Sequence, residues 1–217
     1  TAFKNQEKFG EAVKAFKKAI MLKPNYAEAH NNLGNVFQEQ GSYKEAINSY
    51  KKAISIKQGY AKAYKNMANA LGEQGQAAEA IKSFEKALSL EPNYAEVHRQ
   101  LSSLIKYKPK NPQMELVSKL LARPGLEDAD RCHLNYALAK MNEDLGNLGS
   151  AFENYVAGGA IRQKSMVYDQ KHDELLFKKI KTALPKLKQI GFNSHNEPKN
   201  LTPIFILGMP RSGTTLV

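Results

Sequence analysis

The sequence repeats itself at a shift of thirty-four residues. Tyr26, Tyr60 and Tyr94 coincide, as do Ala27, Ala61 and Ala95; Ala12, Ala46 and Ala80; Phe16, Tyr50 and Phe84; and Ala19, Ala53 and Ala87. A fixed period of this size means that each unit is one supersecondary element, unable to bury its apolar face alone and obliged to stack on its neighbours. Between Ala27 and Ile56 the apolar residues recur at three and four and are interrupted by Gly41-Ser42. That pattern predicts two helices of about a dozen residues with a short turn between them. Pro24 and Pro92 fall after the second helix, where a residue without a backbone N–H stops it, and Gln58 fills that place in the middle unit.

The small residues have a physical role. Gly34 and Ala68 in the first helices, and Ala46, Ala53, Ala80 and Ala87 in the second, let helix axes approach closely, while Phe37, Tyr50, Leu71 and Phe84 fill the remaining space. Small, aromatic and proline positions at this spacing resemble the tetratricopeptide repeat. The resemblance implies a mainly α fold, an α-solenoid of helical hairpins over residues 1–107. Complete repeats fall at 27–60 and 61–94, residues 1–26 look like the tail of a repeat whose first helix is mostly missing, and 95–107 look like the first helix of another.

In that family the first helix of each pair lines the inner surface of a curved superhelix. By that geometry Asn31, Asn32, Asn35 and Glu39 of one unit, and Lys65, Asn66, Asn69 and Glu73 of the next, face inward. Asn32/Asn66 and Asn35/Asn69 then form ladders. An amide offers both a donor and an acceptor, so a ladder of amides can hold an extended peptide backbone without reading its side chains. Asn31, Asn32, Asn35, Lys65, Asn66 and Asn69 are the candidate peptide-binding residues, with a protein or peptide as partner. A plainer use of the same asparagines, solvating a concave face and capping neighbouring helices, also fits the sequence. His30 and His98 share a column with Tyr64, a place where the family has a large aromatic, so packing rather than metal binding is expected of them.

After Tyr107 the period fails. Lys108-Pro109-Lys110-Asn111-Pro112 reads as a loop, Gln113 to Ala122 as a helix closed by Arg123-Pro124-Gly125, and Asp128 to Asn142 as another. Aligning Gly146 with Gly41 places Leu138 on Leu33, Ala139 on Gly34, Ala151 on Ala46, Tyr155 on Tyr50 and Gly158 on Ala53. Residues 108–165 are therefore expected to be a helical segment that ends in a degenerate last repeat at 132–165. Gly158-Gly159 implies either tight packing or an early helix end, and the sequence leaves both open.

Residues 166–202 read as a basic helix and a polar linker. From Asp169 to Leu187, Leu175, Leu176, Ile180, Ala183 and Leu184 recur at helical spacing among Lys178, Lys179, Lys181 and Lys186. The chain carries a net charge of +11. Interleaved aromatics, a helix-turn-helix and zinc-finger spacing are all missing from this stretch, so a solvated helix face is expected rather than a nucleic-acid site. Gly191 to Thr202 is polar and turn-rich, as a linker between domains would be. No apolar run exceeds four residues, Ile204 to Leu207 among them, far short of the roughly 18 to 20 residues of a membrane span. Cys132 is the single cysteine and has no metal-ligand spacing around it, which favours a reducing, cytoplasmic setting and no metal.

At 203–217 the character changes. Pro203-Ile204-Phe205-Ile206-Leu207 reads as a strand buried on both faces, and it runs into Gly208-Met209-Pro210-Arg211-Ser212-Gly213-Thr214-Thr215. A strand, a glycine-bearing loop and a helix start form a phosphate cradle in which backbone N–H groups, hydroxyls and one guanidinium converge. The nucleotide triphosphatase pattern requires Lys after Gly213, where this sequence has Thr214, so ordinary ATP or GTP hydrolysis is disfavoured. Pro210 to Thr215 behind an apolar strand closely resembles the 5′-phosphosulfate-binding loop of sulfotransferases.

By that resemblance Arg211, Ser212, Gly213, Thr214 and Thr215 hold the 5′-phosphate of 3′-phosphoadenylyl sulfate (PAPS), and residues 203–217 are the first strand and P-loop of a truncated α/β sulfotransferase domain. Repeats, a basic helix, a linker and this loop, in that order, resemble bacterial-type proteins that join a tetratricopeptide array to a sulfotransferase. The expected activity of the intact protein is transfer of a sulfuryl group to a hydroxyl or amine acceptor, with the repeats presenting the acceptor or a partner. The chain opens on Thr1 and ends on Leu216-Val217 in mid-motif, so it is expected to be a fragment. It contains neither a recognisable catalytic base nor a 3′-phosphate site, and it is expected to be inactive alone. The competing expectation is a non-enzymatic repeat scaffold for protein interaction.

Overall fold

A computed structural model of the chain describes residues 2–165 and 174–182. The chain divides into two units, Thr1–Met166 and Val167–Val217. In the second unit residues 174–182 are helical and exposed throughout. The remainder of the basic helix expected from Asp169 to Leu187, the linker to Thr202, the strand at 203–207 and the loop to Val217 lie outside the described residues.

The first unit is a run of helices, and the described residues contain no strand. In order they are α1 (Ala2–Leu22), α2 (Ala27–Glu39), α3 (Tyr43–Ile56), α4 (Ala61–Glu73), α5 (Ala77–Leu90), α6 (Ala95–Ser102), α7 (Pro112–Leu121), α8 (Asp128–Asp144) and α9 (Leu148–Ser165). Each packs on the next from α1 to α6, while α6 and α7 both pack on α8, and α8 pairs with α9.

The hairpin turns are built alike. Gly41, Gly75 and Gly146 have φ of 74°, 76° and 79°, the left-handed region open to glycine. In each turn the residue after the glycine donates its N–H back to the helix: Ser42 to Phe37 O at 2.8 Å, Gln76 to Leu71 O at 2.9 Å and Asn147 to Asn142 O at 2.9 Å. This glycine-centred cap satisfies carbonyls that the helix end leaves without partners. The α8–α9 hairpin thus turns as the α2–α3 and α4–α5 hairpins do, although its sequence has drifted.

Stacking closes the core. Ala46, Ile47 and Tyr50 of α3 meet Ala70 and Leu71 of α4, and Phe84 and Ala87 of α5 meet Val97 and Leu101 of α6. The apolar clusters therefore straddle repeat boundaries, so that each hairpin buries what its neighbour would otherwise expose. A third cluster joins Tyr107, Val117, Leu120, Leu134, Leu138 and Met141.

The array departs from a uniform repeat at three points. Residues 2–22 form one helix, because Glu7 stands where later units have Gly41 and Gly75 and nothing breaks the run. Helix α6 is 8 residues long where α2 and α4 have 13. Tyr107 is buried and its N–H donates to Asp144 Oδ2 at 3.1 Å, which takes the chain off the helix, and Pro109 disfavours helical geometry at Lys108. Asn111 then starts α7, its side chain accepting from Gln113 N at 2.9 Å ahead of Pro112. At the third point, α9 runs through Gly158 to Ser165. A Cβ on Gly158 would lie 3.3 Å from the Tyr136 ring, so tight packing explains this glycine.

Candidate functional site

The first helices α2, α4 and α6 place their polar residues side by side. A cleft of about 490 Å³ is lined by Asn35, Gln38 and Glu39 of α2, Lys62, Lys65, Asn66 and Glu73 of α4, and Tyr43. A second, of about 440 Å³, shares Gln38 and Glu73 with it and reaches Asn69, Gln100 and Ser103. Together they form a polar groove that crosses the repeats.

Part of the expected amide ladder is used inside the protein. Asn66 Nδ2 donates to Asn31 Oδ1 and to Asn35 Oδ1, each at 3.0 Å, which occupies both of its amide protons. Asn31 is fully buried, and its own Nδ2 donates to Asn32 Oδ1 at 3.3 Å. Asn31 therefore braces α2 against α4 and does not line the groove. Asn32 is exposed beside it and lines neither cleft. Asn35, Lys65, Asn66 and Asn69 do line the groove.

The Tyr50 hydroxyl lies 2.9 Å from Asn35 Oδ1 and 2.8 Å from Gln38 Oε1. It carries one proton, and Asn35 Oδ1 is already held by Asn66. The consistent arrangement has Tyr50 donating to Asn35 and the Gln38 amide turned to donate to Tyr50. Burial, with Glu39 close by, pushes the Tyr50 hydroxyl well above the usual tyrosine range, so it remains a protonated donor. Lys65 is also engaged: its Nζ is 3.1 Å from Glu96 Oε2 and 5.9 Å from the centre of the Tyr94 ring. The groove floor is thus pre-arranged, and the side chains left facing outward are Asn69, Glu73, Glu39 and Lys62.

The ladders run one rung further than the two expected from the sequence. Shifted by the period, Asn32 and Asn66 are followed by Gln100, and Asn35 and Asn69 by Ser103, and both of these line the second cleft. The same thirty-four-residue shift applied once more points to them. Gln38 lies on the stripe of Asn31 and Asn35 at helical spacing and was legible in the same way.

His98 is buried and His30 half-buried. His30 Nε2 donates to Pro24 O at 3.2 Å and His98 Nε2 to Pro92 O at 2.8 Å, so each ring ties its helix to the turn before it. Gln113 Nε2 sits 3.1 Å from His98 Nδ1, which fixes a neutral tautomer, and burial holds His98 below the usual value of 6.5. No group of three or more His, Cys, Asp or Glu that could hold a metal ion occurs among the described residues, and no helix among them is long and apolar enough to cross a membrane. The candidate donor-binding residues Arg211, Ser212, Gly213, Thr214 and Thr215 lie outside the described residues.

Comparison with known proteins places the repeats. Residues 2–41 and 35–75 match the family described as TPR repeat, and residues 61–94 match the tetratricopeptide repeat. Residues 2–94 of the chain are therefore tetratricopeptide repeats. An uncharacterized protein of Aquifex aeolicus (strain VF5) is 29% identical over 112 residues, which are 51% of this chain and 14% of that relative's length. Among solved structures, MamA superposes with a TM-score of 0.56 at 22% identity, over 76% of this chain and 95% of MamA. YrrB, described as a TPR protein with an unusual peptide-binding site, gives 0.53 at 17% identity, over 75% of this chain and 82% of its own. These likenesses show the fold, a helical repeat solenoid, and lend no support to a sulfotransferase domain.

Proposed function

We propose that the described repeats are a protein-interaction scaffold whose groove on α2, α4 and α6 binds an extended segment of a partner protein. The observation that carries this reading is a contrast among the asparagines of one face. Asn31 and Asn66 are spent holding the helices together, while Asn69, on the same face, lines the groove with no side-chain hydrogen bond to any described residue. A rigid floor with one free amide, Asn69, and charged side chains above it suits main-chain recognition, because the cost of ordering the site is met before the ligand arrives. The fold shared with YrrB, itself described as having a peptide-binding site, is consistent with this use. The test is selection of random displayed decapeptides on the protein. Enrichment that Asn69→Ala/Lys62→Ala abolishes supports the groove, and enrichment that ignores those substitutions removes it.

A second reading rests on the sequence at 203–217. For the whole protein we propose sulfuryl transfer from PAPS by in-line displacement, with Arg211 stabilising charge on the leaving 5′-phosphate and Ser212 to Thr215 cradling it. This chain alone is then expected to be inactive. Calorimetry with 3′-phosphoadenosine 5′-phosphate on the whole protein checks it. Binding lost in Arg211→Ala supports the donor site, and binding unchanged in that variant overturns it.

A further inference from the structure

The third rung of the amide ladders makes one end of the groove unlike the rest, and its use as a subsite rests on the groove being a peptide site. In the cleft of about 440 Å³, Glu73 is the sole charged lining residue among those described. It is exposed and makes no ion pair with a described residue, although the chain as a whole carries +11.

Gln100 adds a second acceptor with a fixed direction. Its Nε2 donates to Glu96 Oε1 at 3.3 Å, and Glu96 Oε2 receives Lys65 Nζ at 3.1 Å. An ionised carboxylate only accepts, so the Gln100 amide cannot be turned about without setting oxygen against oxygen. Gln100 Oε1 is therefore an acceptor, and it is buried without a hydrogen-bond partner among the described residues. An unsatisfied buried acceptor is unfavourable and calls for a donor. The last torsion of a glutamine is broad, so a modest turn of the amide, which carries Oε1 and Nε2 together, presents the carbonyl to the cleft that Gln100 lines. Beside it, Ser103 Oγ gives its proton to Gln100 O at 2.7 Å and keeps lone pairs to accept with. Phe84 and Leu104 supply an apolar wall to the same cleft.

From this arrangement we infer that the α4–α6 end of the groove takes a lysine or arginine side chain of the bound segment. The alkyl stem lies on Phe84 and Leu104, and the charged head sits between the Glu73 carboxylate and Gln100 Oε1. Net charge alone would draw acidic ligands to this protein, so a preference for a basic residue reports the cleft and not bulk electrostatics.

The experiment is decapeptide selection on the wild-type protein and on Glu73→Gln/Gln100→Met, with far-UV circular dichroism to confirm that the variant is folded. The expected result is a lysine or arginine fixed at one position of the wild-type sequences. A synthetic peptide of that sequence should weaken about tenfold when this residue becomes norleucine. On the double variant the two peptides should bind alike, with the norleucine peptide as tight as on the wild type. Selected sequences without a basic position, a norleucine exchange without effect, or a preference that survives in the double variant would each overturn the basic subsite and leave the groove standing. A wild-type selection that yields no peptide would overturn both.

Discussion

Asn66 on α4 reaches across to Asn31 on α2, Nδ2 to Oδ1 at 3.0 Å, in a setting where Asn31 has no exposed surface and Asn66 keeps 8% of its own. A buried amide pair of this kind fixes the register of one repeat on the next, since a slip would leave the Asn31 carbonyl and the Asn66 amide protons without partners. Asn66→Ala therefore strands the Asn31 carbonyl in the interior and lowers stability by about 1–3 kcal/mol. Replacing both residues by leucine removes donor and acceptor together and is expected to cost less than the sum of the two single leucine changes. Urea unfolding of the four proteins in the cycle measures the difference, and simple additivity would contradict the assigned role.

Glycine tests the packing between the helices of a hairpin. A Cβ on Gly34 would lie 2.5 Å from the Tyr50 ring, whereas one on Gly72 meets nothing within 4 Å. Gly34→Ala is therefore expected to destabilise by about 1–3 kcal/mol through overpacking, which outweighs its helix propensity. Gly72→Ala is expected to stabilise by about 0.4–1 kcal/mol. Thermal denaturation of the two variants should move in opposite directions.

Burial lowers the titration of His98 below 6.5, against a smaller opposing effect of its bond to Pro92 O, and His133 is lowered by burial and by Arg99. A lowered histidine is neutral in the folded state while the unfolded chain still binds protons, so stability is complete above 6.5 and is lost as the pH falls through the folded-state values. The urea midpoint should accordingly be lower at about pH 5 than at about pH 7.5. His98→Gln should flatten part of that slope, and an unaltered slope would remove His98 as a cause.

What the sequence made legible was what the period controls. Tyr50 against Gly34, the turns at Gly41 and Gly75 and the stacking of alanines repeat at thirty-four residues, and each arises from local chemistry that recurs. The shortening of α6 was not legible, because its cause is distant: Tyr107 is drawn under α7 and α8 and bonded to Asp144, a residue far along the chain. The double use of the asparagines was hidden for a related reason. Asn31 and Asn35 look alike as letters on one helical face, and only the approach of α4 decides that Asn31 is buried while Asn35 lines the groove. Gln100 and Ser103 were legible in principle, as further rungs of the ladders at the same period.

Binding of a peptide segment to the face of α2, α4 and α6 is best put to the test by calorimetric titration of a selected peptide into three proteins. These are the wild type, Asn69→Ala/Lys62→Ala on the groove, and Lys51→Ala/Glu85→Ala on exposed positions of α3 and α5. A groove that binds peptide predicts about tenfold weaker binding or worse for the groove variant alone, with all three proteins unfolding at similar urea concentrations. Equal affinity for the wild type and the groove variant, or a loss confined to the α3 and α5 variant, would contradict it.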